Sequence, residues 1–173
     1  MEKKYKLTEE TKEWYGHTLH RIEALKDFGN VKAGDKGGWI EKEENLSQDD
    51  NAEVYGDAWV YGDAEVCGDA KVCGNAKVCG NAEVYGDAKV YGDAWVYGDA
   101  EVCGDADYIV FKNWWSSGRY FTWTRSNNMW KAGCFFGTGE ELIKKAYTDS
   151  EKSGREYERI VKYVASIAEE NDD

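Results

Sequence analysis

The sequence predicts a mainly β chain built around a solenoid, on three observations. From Asn51 to Gly104 the chain reads [N/D]-A-x-V-[Y/C]-G nine times without a slip. The 173 residues contain 19 glycines and no proline, and a glycine closes every hexad. The flanks, 1–50 and 107–173, lack the repeat, so they read as caps on the ends of a 51–106 solenoid.

A period of six suits neither an α-helix nor a coiled coil. Within each hexad Ala and Val stand two apart, so a short strand aims both to one side. The residue between them (Glu, Trp or Lys) and the Tyr or Cys that follows then face outward. Gly plus Asp or Asn supplies the corner, because these residues tolerate turn conformations that others do not.

This arrangement resembles the hexapeptide-repeat β-helix. The resemblance implies three hexads per triangular coil, a left-handed turn, and three regular coils from nine hexads. One position departs from the usual pattern: Tyr or Cys follows the inward valine, where a small or acidic residue is customary. With eighteen residues per coil, side chains 18 apart stack at the interstrand spacing of ~4.8 Å. One face carries Glu53, Lys71 and Lys89. The second carries Trp59, Lys77 and Trp95 beside Tyr61, Cys79 and Tyr97. The third carries Glu65, Glu83 and Glu101, with Asp63, Asn81 and Asp99 at its corner. Two candidate partner surfaces follow: an acidic ladder (Glu65, Glu83, Glu101, Asp63, Asp99) and an exposed aromatic patch (Trp59, Trp95, Tyr61, Tyr97) for a partner or a homo-oligomer.

In the N-terminal cap, His17 to Leu25 reads as a strand. The glycine-rich Val31 to Ile40 leads into an irregular first coil near Ile40 and Leu46, and Asp49-Asp50 shifts the register by two, predicting a bulged corner. The C-terminal flank reads as an α+β cap. Tyr108–Phe111 and Arg119–Thr124 are strands, and Met129 to Phe136 holds a third. Two helices follow from T-x-x-E at Thr138–Glu141 and S-x-x-E at Ser153–Glu156. The last helix places Tyr157, Ile160, Val161, Val164, Ile167 and Ala168 on one core-facing stripe. Basic and aromatic residues interleave here, and Lys112, Trp114, Trp115, Arg119, Arg125 and Trp130 form a candidate nucleotide or protein contact.

The chain carries a net charge of −12, and its middle holds 11 carboxylates against 3 lysines. That argues against direct nucleic-acid binding by charge and for a basic partner. No apolar run approaches a membrane span. The start at Met1–Lys6 has no leader-like apolar segment, and five cysteines cannot all pair within the chain. A cytoplasmic setting is the expectation.

Hexapeptide β-helices are best known as acyltransferases and as a carbonic anhydrase class, both of which rely on histidine. Only His17 and His20 occur, both ahead of the repeats and expected to serve local packing. Cys67, Cys73 and Cys79, six apart, fall on three different faces and cannot converge on one ion. No catalytic group, metal or cofactor is expected.

Two further motifs bracket the solenoid. Gly34-Asp35-Lys36-Gly37-Gly38-Trp39-Ile40-Glu41 runs on to Asn45-Leu46-Ser47, and Gly133-Cys134-Phe135-Phe136-Gly137-Thr138 precedes the helices. Joined to N-A-x-V-Y-G hexads, these resemble a family of phage and prophage proteins with variable repeat number. No catalytic residues come with that resemblance. Beyond that it implies a spacer or display surface rather than an active site. The acidic charge and the lack of catalytic groups add the leading expectation: a non-enzymatic phage accessory protein in the host cytoplasm, binding and inhibiting a host macromolecule with a basic nucleic-acid-binding surface, as anti-CRISPR and other anti-defence proteins do. The alternatives are a self-assembling structural protein and a nucleotide-signal sponge. Literal DNA mimicry is a poor fit, since coils repeat at ~4.8 Å and strand phosphates at ~3.4 Å.

Overall fold

The computed structural model describes residues 2–172. A long hairpin opens the chain, β1 (Tyr5–Trp14) and β2 (His17–Ala24), followed by β3 (Lys36–Ile40). Nine two-residue strands then repeat every six residues. They are β4 (Glu53–Val54), β5 (Trp59–Val60), β6 (Glu65–Val66), β7 (Lys71–Val72), β8 (Lys77–Val78), β9 (Glu83–Val84), β10 (Lys89–Val90), β11 (Trp95–Val96) and β12 (Glu101–Val102). The C-terminal module contains β13 (Tyr108–Lys112), β14 (Tyr120–Thr124), β15 (Met129–Ala132) and β16 (Phe135–Gly137). It closes with α1 (Gly139–Asp149) and α2 (Glu151–Asp172).

The solenoid strands stack in parallel at offsets of 18: β4-β7-β10, β5-β8-β11 and β6-β9-β12. Every alanine and valine of the nine hexads points inward and is at most 2 % exposed. The corners rest on glycine. Gly80 has φ +71°, and a Cβ there would stand 2.9 Å from the Gly98 amide nitrogen in the coil above. A side chain at that corner would therefore meet both backbone strain and a backbone clash.

Below the regular coils lies a partial one, giving about four turns in all. Ile40 pairs with Val60 and Leu46 with Val66, offsets of 20 rather than 18. The two extra residues are absorbed at Asp49-Asp50, the predicted bulged corner. Asp50 holds that bulge by accepting from the amides of Gly68 (2.6 Å) and Ala52 (3.1 Å).

The interstrand ladder has a polarity that explains both caps. Each coil donates its amides to carbonyls of the next, as in Glu53 N to Ala70 O and Tyr55 N to Val72 O. The first coil thus presents bare carbonyls and the last coil bare N–H groups, and buried ones must find partners. At the first end the donors are cationic or amide. Lys4 Nζ reaches Ala52 O (2.8 Å) and Asp50 O (2.9 Å), and Asn45 Nδ2 reaches Ala64 O (2.9 Å) and Gly62 O (3.1 Å). At the last end the acceptors are hydroxyls and a carboxylate. Thr122 Oγ1 takes Trp95 N (2.9 Å), Ser126 Oγ takes Glu101 N (2.7 Å), and Asp107 Oδ2 takes Cys103 N (2.8 Å) and Gly104 N (2.9 Å). Tyr5 plugs the first coil, its hydroxyl donating to Leu46 O at 2.6 Å. Tyr108 and Val110 cover the last coil.

The flanks differ from expectation in three places. The segment Met129 to Phe136 is two strands, β15 and β16, because Gly133 turns the chain at φ +59°. The second helix begins at Glu151, with Ser150 Oγ accepting from Ser153 N, so the serine that caps it is Ser150 and not Ser153. The strand β1, unforeseen, pairs with β2 across a Tyr15-Gly16 turn in which both residues have positive φ. The T-x-x-E box is formed as expected: Thr138 Oγ1 accepts from Glu141 N at 3.2 Å. In the module core, Trp123, Trp130, Phe121, Tyr157 and Val164 pack sheet against helices. No helix among the described residues is long and apolar enough to cross a membrane.

Candidate functional site

The acidic column forms as the 18-residue spacing requires. Glu65, Glu83 and Glu101 stand in register on β6, β9 and β12, and all three are exposed. No ion pair engages them among the described residues. Asp63 and Asp99 sit at the adjoining corner, but each has a partner. Lys42 pairs with Asp63 at 2.8 Å and keeps its carboxyl below the usual range, and Asn127 donates to Asp99 at 3.1 Å. A second corner column, Asp69, Asp87 and Asp105, borders the face on its other side and is also exposed. Eight carboxylates thus flank or line one sheet.

The aromatic column also forms, but it is not an exposed patch. Tyr61 is only 6 % exposed, and Trp59, Trp95 and Tyr97 are half-buried. The N-terminal hairpin lies across this face. Leu19 packs with Trp39, Tyr61 and Cys79, and Trp14 meets Trp59 edge-on at 5.0 Å while its Nε1 donates to the Tyr61 hydroxyl. The C-terminal module covers the far end, with Phe136 against Tyr97 at 4.8 Å. Apolar rings on a solenoid surface need cover, and the chain's own caps provide it.

Cations intercalate among those rings. Arg21 and Lys12 stand over Trp39 (5.5 and 4.3 Å), and Lys77 over Trp14, Trp59 and Trp95 (4.3, 4.6 and 4.8 Å). Lys131 stands 4.4 Å from both Trp95 and Tyr97. The result is a cation–π ladder along β3-β5-β8-β11, each contact contributing about 0.5–2 kcal/mol depending on desolvation. Burial pulls the pKa of both Lys77 and Lys131 below the ordinary lysine range. Trp39 Nε1 is buried without a hydrogen-bond partner among the described residues.

The predicted basic–aromatic contact does not assemble. Trp130 is core, and Trp115 is held inward by donating to Ser153 at 2.9 Å. Trp114 is 67 % exposed near Lys152, and Lys112 lies over Tyr120. Arg125 lies elsewhere, lining a different cleft together with Glu101 and Asp107. Arg119 enters a cleft of about 690 Å³ that it shares with Trp14, Trp95, Lys131 and Lys145. Sequence spacing could not reveal it, since three distant segments build it.

Another cleft, of about 370 Å³, lies between the Phe28–Val31 turn and the first coil. Its buried carboxylate, Glu53, is occupied by the Asn30 amide at 2.8 Å, which reads as packing of the turn. His17 contacts Glu41 at 2.7 Å and His20 the Thr8 carbonyl at 3.1 Å, both local roles. Cys67, Cys73 and Cys79 follow strands of three different sheets, as their spacing requires, and all five cysteines are free. Burial raises the Cys79 thiol, and its Sγ accepts from Trp95 Nε1. Among the described residues no group of three His, Cys, Asp or Glu converges as a metal site would.

Fold and surface together define a capped β-solenoid with one aromatic face closed by its own termini and one acidic face left open. No protein-family model and no curated protein sequence matches the chain.

Proposed function

We propose that the protein is a non-enzymatic phage accessory protein that docks its acidic solenoid face on a basic surface of a host macromolecule and inhibits it. The observation that carries this reading is the exposed Glu65–Glu83–Glu101 ladder, bordered by Asp69, Asp87 and Asp105. Like charges stacked at interstrand spacing repel one another, so the column does not serve the fold. A cationic surface facing it would relieve that repulsion and be steered toward it. Tyr91, Trp114 and Tyr163 are among the well-exposed aromatic side chains that could supply a desolvated anchor.

The self-assembly alternative draws less support. Its main surface, the aromatic face, is covered, and both ladder ends carry polar caps. Capture from host lysate with the tagged chain tests the reading across a salt series. A partner retained at ~50 mM salt and shed by ~300 mM, where screening is short, supports docking by the acidic face. A partner indifferent to salt would sink it.

A further inference from the structure

The cleft of about 690 Å³ at the far end of the aromatic face has a charge opposite to that of the molecule. The hairpin tip supplies Trp14 and Tyr15, the last regular coil supplies Trp95, and the C-terminal module supplies Arg119, Lys131 and Lys145. No Asp or Glu lines it, in a chain with 34 carboxylates against 22 lysines and arginines. Such a segregation creates a local positive field within a Debye length of ~8 Å, whatever the net charge.

The three cations are held in different ways. Lys131 is 8 % exposed and packs against two rings, with neither a carboxylate nor a hydrogen-bond acceptor for its ammonium among the described residues. A desolvated cation of this kind is stabilised by an incoming anion. Arg119 lies against Gly133, where a Cβ would come 2.7 Å from its guanidinium, so the missing side chain leaves the space that seats it. Lys145 pairs with Asp149 at 4.0 Å, the one ion pair it makes among the described residues. The rings add a second kind of surface. Tyr15 is 84 % exposed at the hairpin tip, with Trp14 edge-on beside it at 4.7 Å.

We propose that this cleft binds a mononucleotide, with its phosphates on Arg119, Lys131 and Lys145 and its base against the tryptophan and tyrosine rings. A plain anion would use the cations but leave the rings idle, whereas a nucleotide uses both. The cleft is of single-ligand size, and the net charge of −12 works against a long polyanion. This site is separate from the acidic face, and either can fail without the other.

The test uses the purified full chain, titrated with ADP, GDP, CDP and UDP and, in separate arms, with pyrophosphate and adenosine. Calorimetry and tryptophan fluorescence are the readouts. At least one diphosphate is expected to bind in the micromolar range and quench fluorescence, with pyrophosphate and adenosine each at least about tenfold weaker. Arg119→Ala with Lys145→Ala, both at exposed positions, should weaken it at least about tenfold while the thermal midpoint of the free protein holds. Silence from all four diphosphates at millimolar concentration would overturn the proposal. Equal binding of pyrophosphate would overturn the base contact, and undiminished binding by the double variant would overturn the location.

Discussion

Two faces of one solenoid, written in the same hexad, meet opposite fates. Both stack side chains 18 residues apart on parallel two-residue strands. On the β5-β8-β11 face the outward residues are Trp, Lys and Trp, and the N-terminal hairpin and C-terminal module close over them. On the β6-β9-β12 face they are three glutamates, and all three stay exposed. The repeat fixes where a side chain stands, and its chemistry decides whether the caps fold onto it. Rings gain from burial, especially when cations separate them. Stacked carboxylates would lose hydration with no compensating partner, so they stay in water.

The sharpest way to break this comparison is to truncate one side chain on each face. Trp39→Ala removes a 3 %-exposed ring beneath Lys12 and Arg21 and should destabilise the fold by about 3–5 kcal/mol in denaturant titration. Glu83→Ala on the open face should stay within about 0.5 kcal/mol. Similar losses from the two would mean the faces are not divided in this way.

Next in size is the cap at the last coil. Thr122→Val keeps the volume but leaves Trp95 N–H without its acceptor, at an expected cost of about 1–3 kcal/mol. Stability equal to wild type would show that the ladder's polarity does not shape the caps. A smaller loss, about 0.5–2 kcal/mol, is expected for Lys77→Met, which keeps the packed stem and removes the charge between three rings. If Lys77→Met were more stable than wild type, the desolvated ammonium would be a burden and not a brace.

The smallest effect concerns acid. Burial alone would raise the Asp50 carboxyl, but the Gly68 and Ala52 amides, the Ser47 hydroxyl and Lys4 outweigh it and hold its pKa below the ordinary value. A carboxyl lowered in the folded state adds stability above its unfolded pKa of ~3.9, and that contribution fades as pH falls through the folded value. Asp50→Asn should therefore flatten the acid limb of the unfolding midpoint below about pH 4, read by circular dichroism. An unchanged acid limb would assign it to other carboxylates.

The solenoid was legible because its signal is local and repeated: each hexad states its own strand, corner and inward pair. The bulge at Asp49-Asp50 was legible as a slip in that count. β1 was not, because Tyr5–Trp14 alternates poorly, carries a register shift between Leu7 and Thr11, and turns at Tyr15-Gly16 without the usual Asn-Gly signature. The second cap serine was misplaced because Ser150 and Ser153 stand one helical turn apart and only the first precedes the helix. The acidic column followed from arithmetic on the repeat. The exposure of the aromatic column did not, since it depends on where the hairpin lies. The cleft gathers residues as far apart in the chain as Trp14 and Lys145, which no local pattern encodes.

The most direct measurement is charge reversal on the open face, Glu83→Lys with Glu101→Lys, assayed for host-partner capture and thermal unfolding in parallel. The account predicts capture lost, with the unfolding midpoint within a few degrees of wild type, about what a surface change allows. Capture retained at wild-type level, with the fold intact, would contradict it.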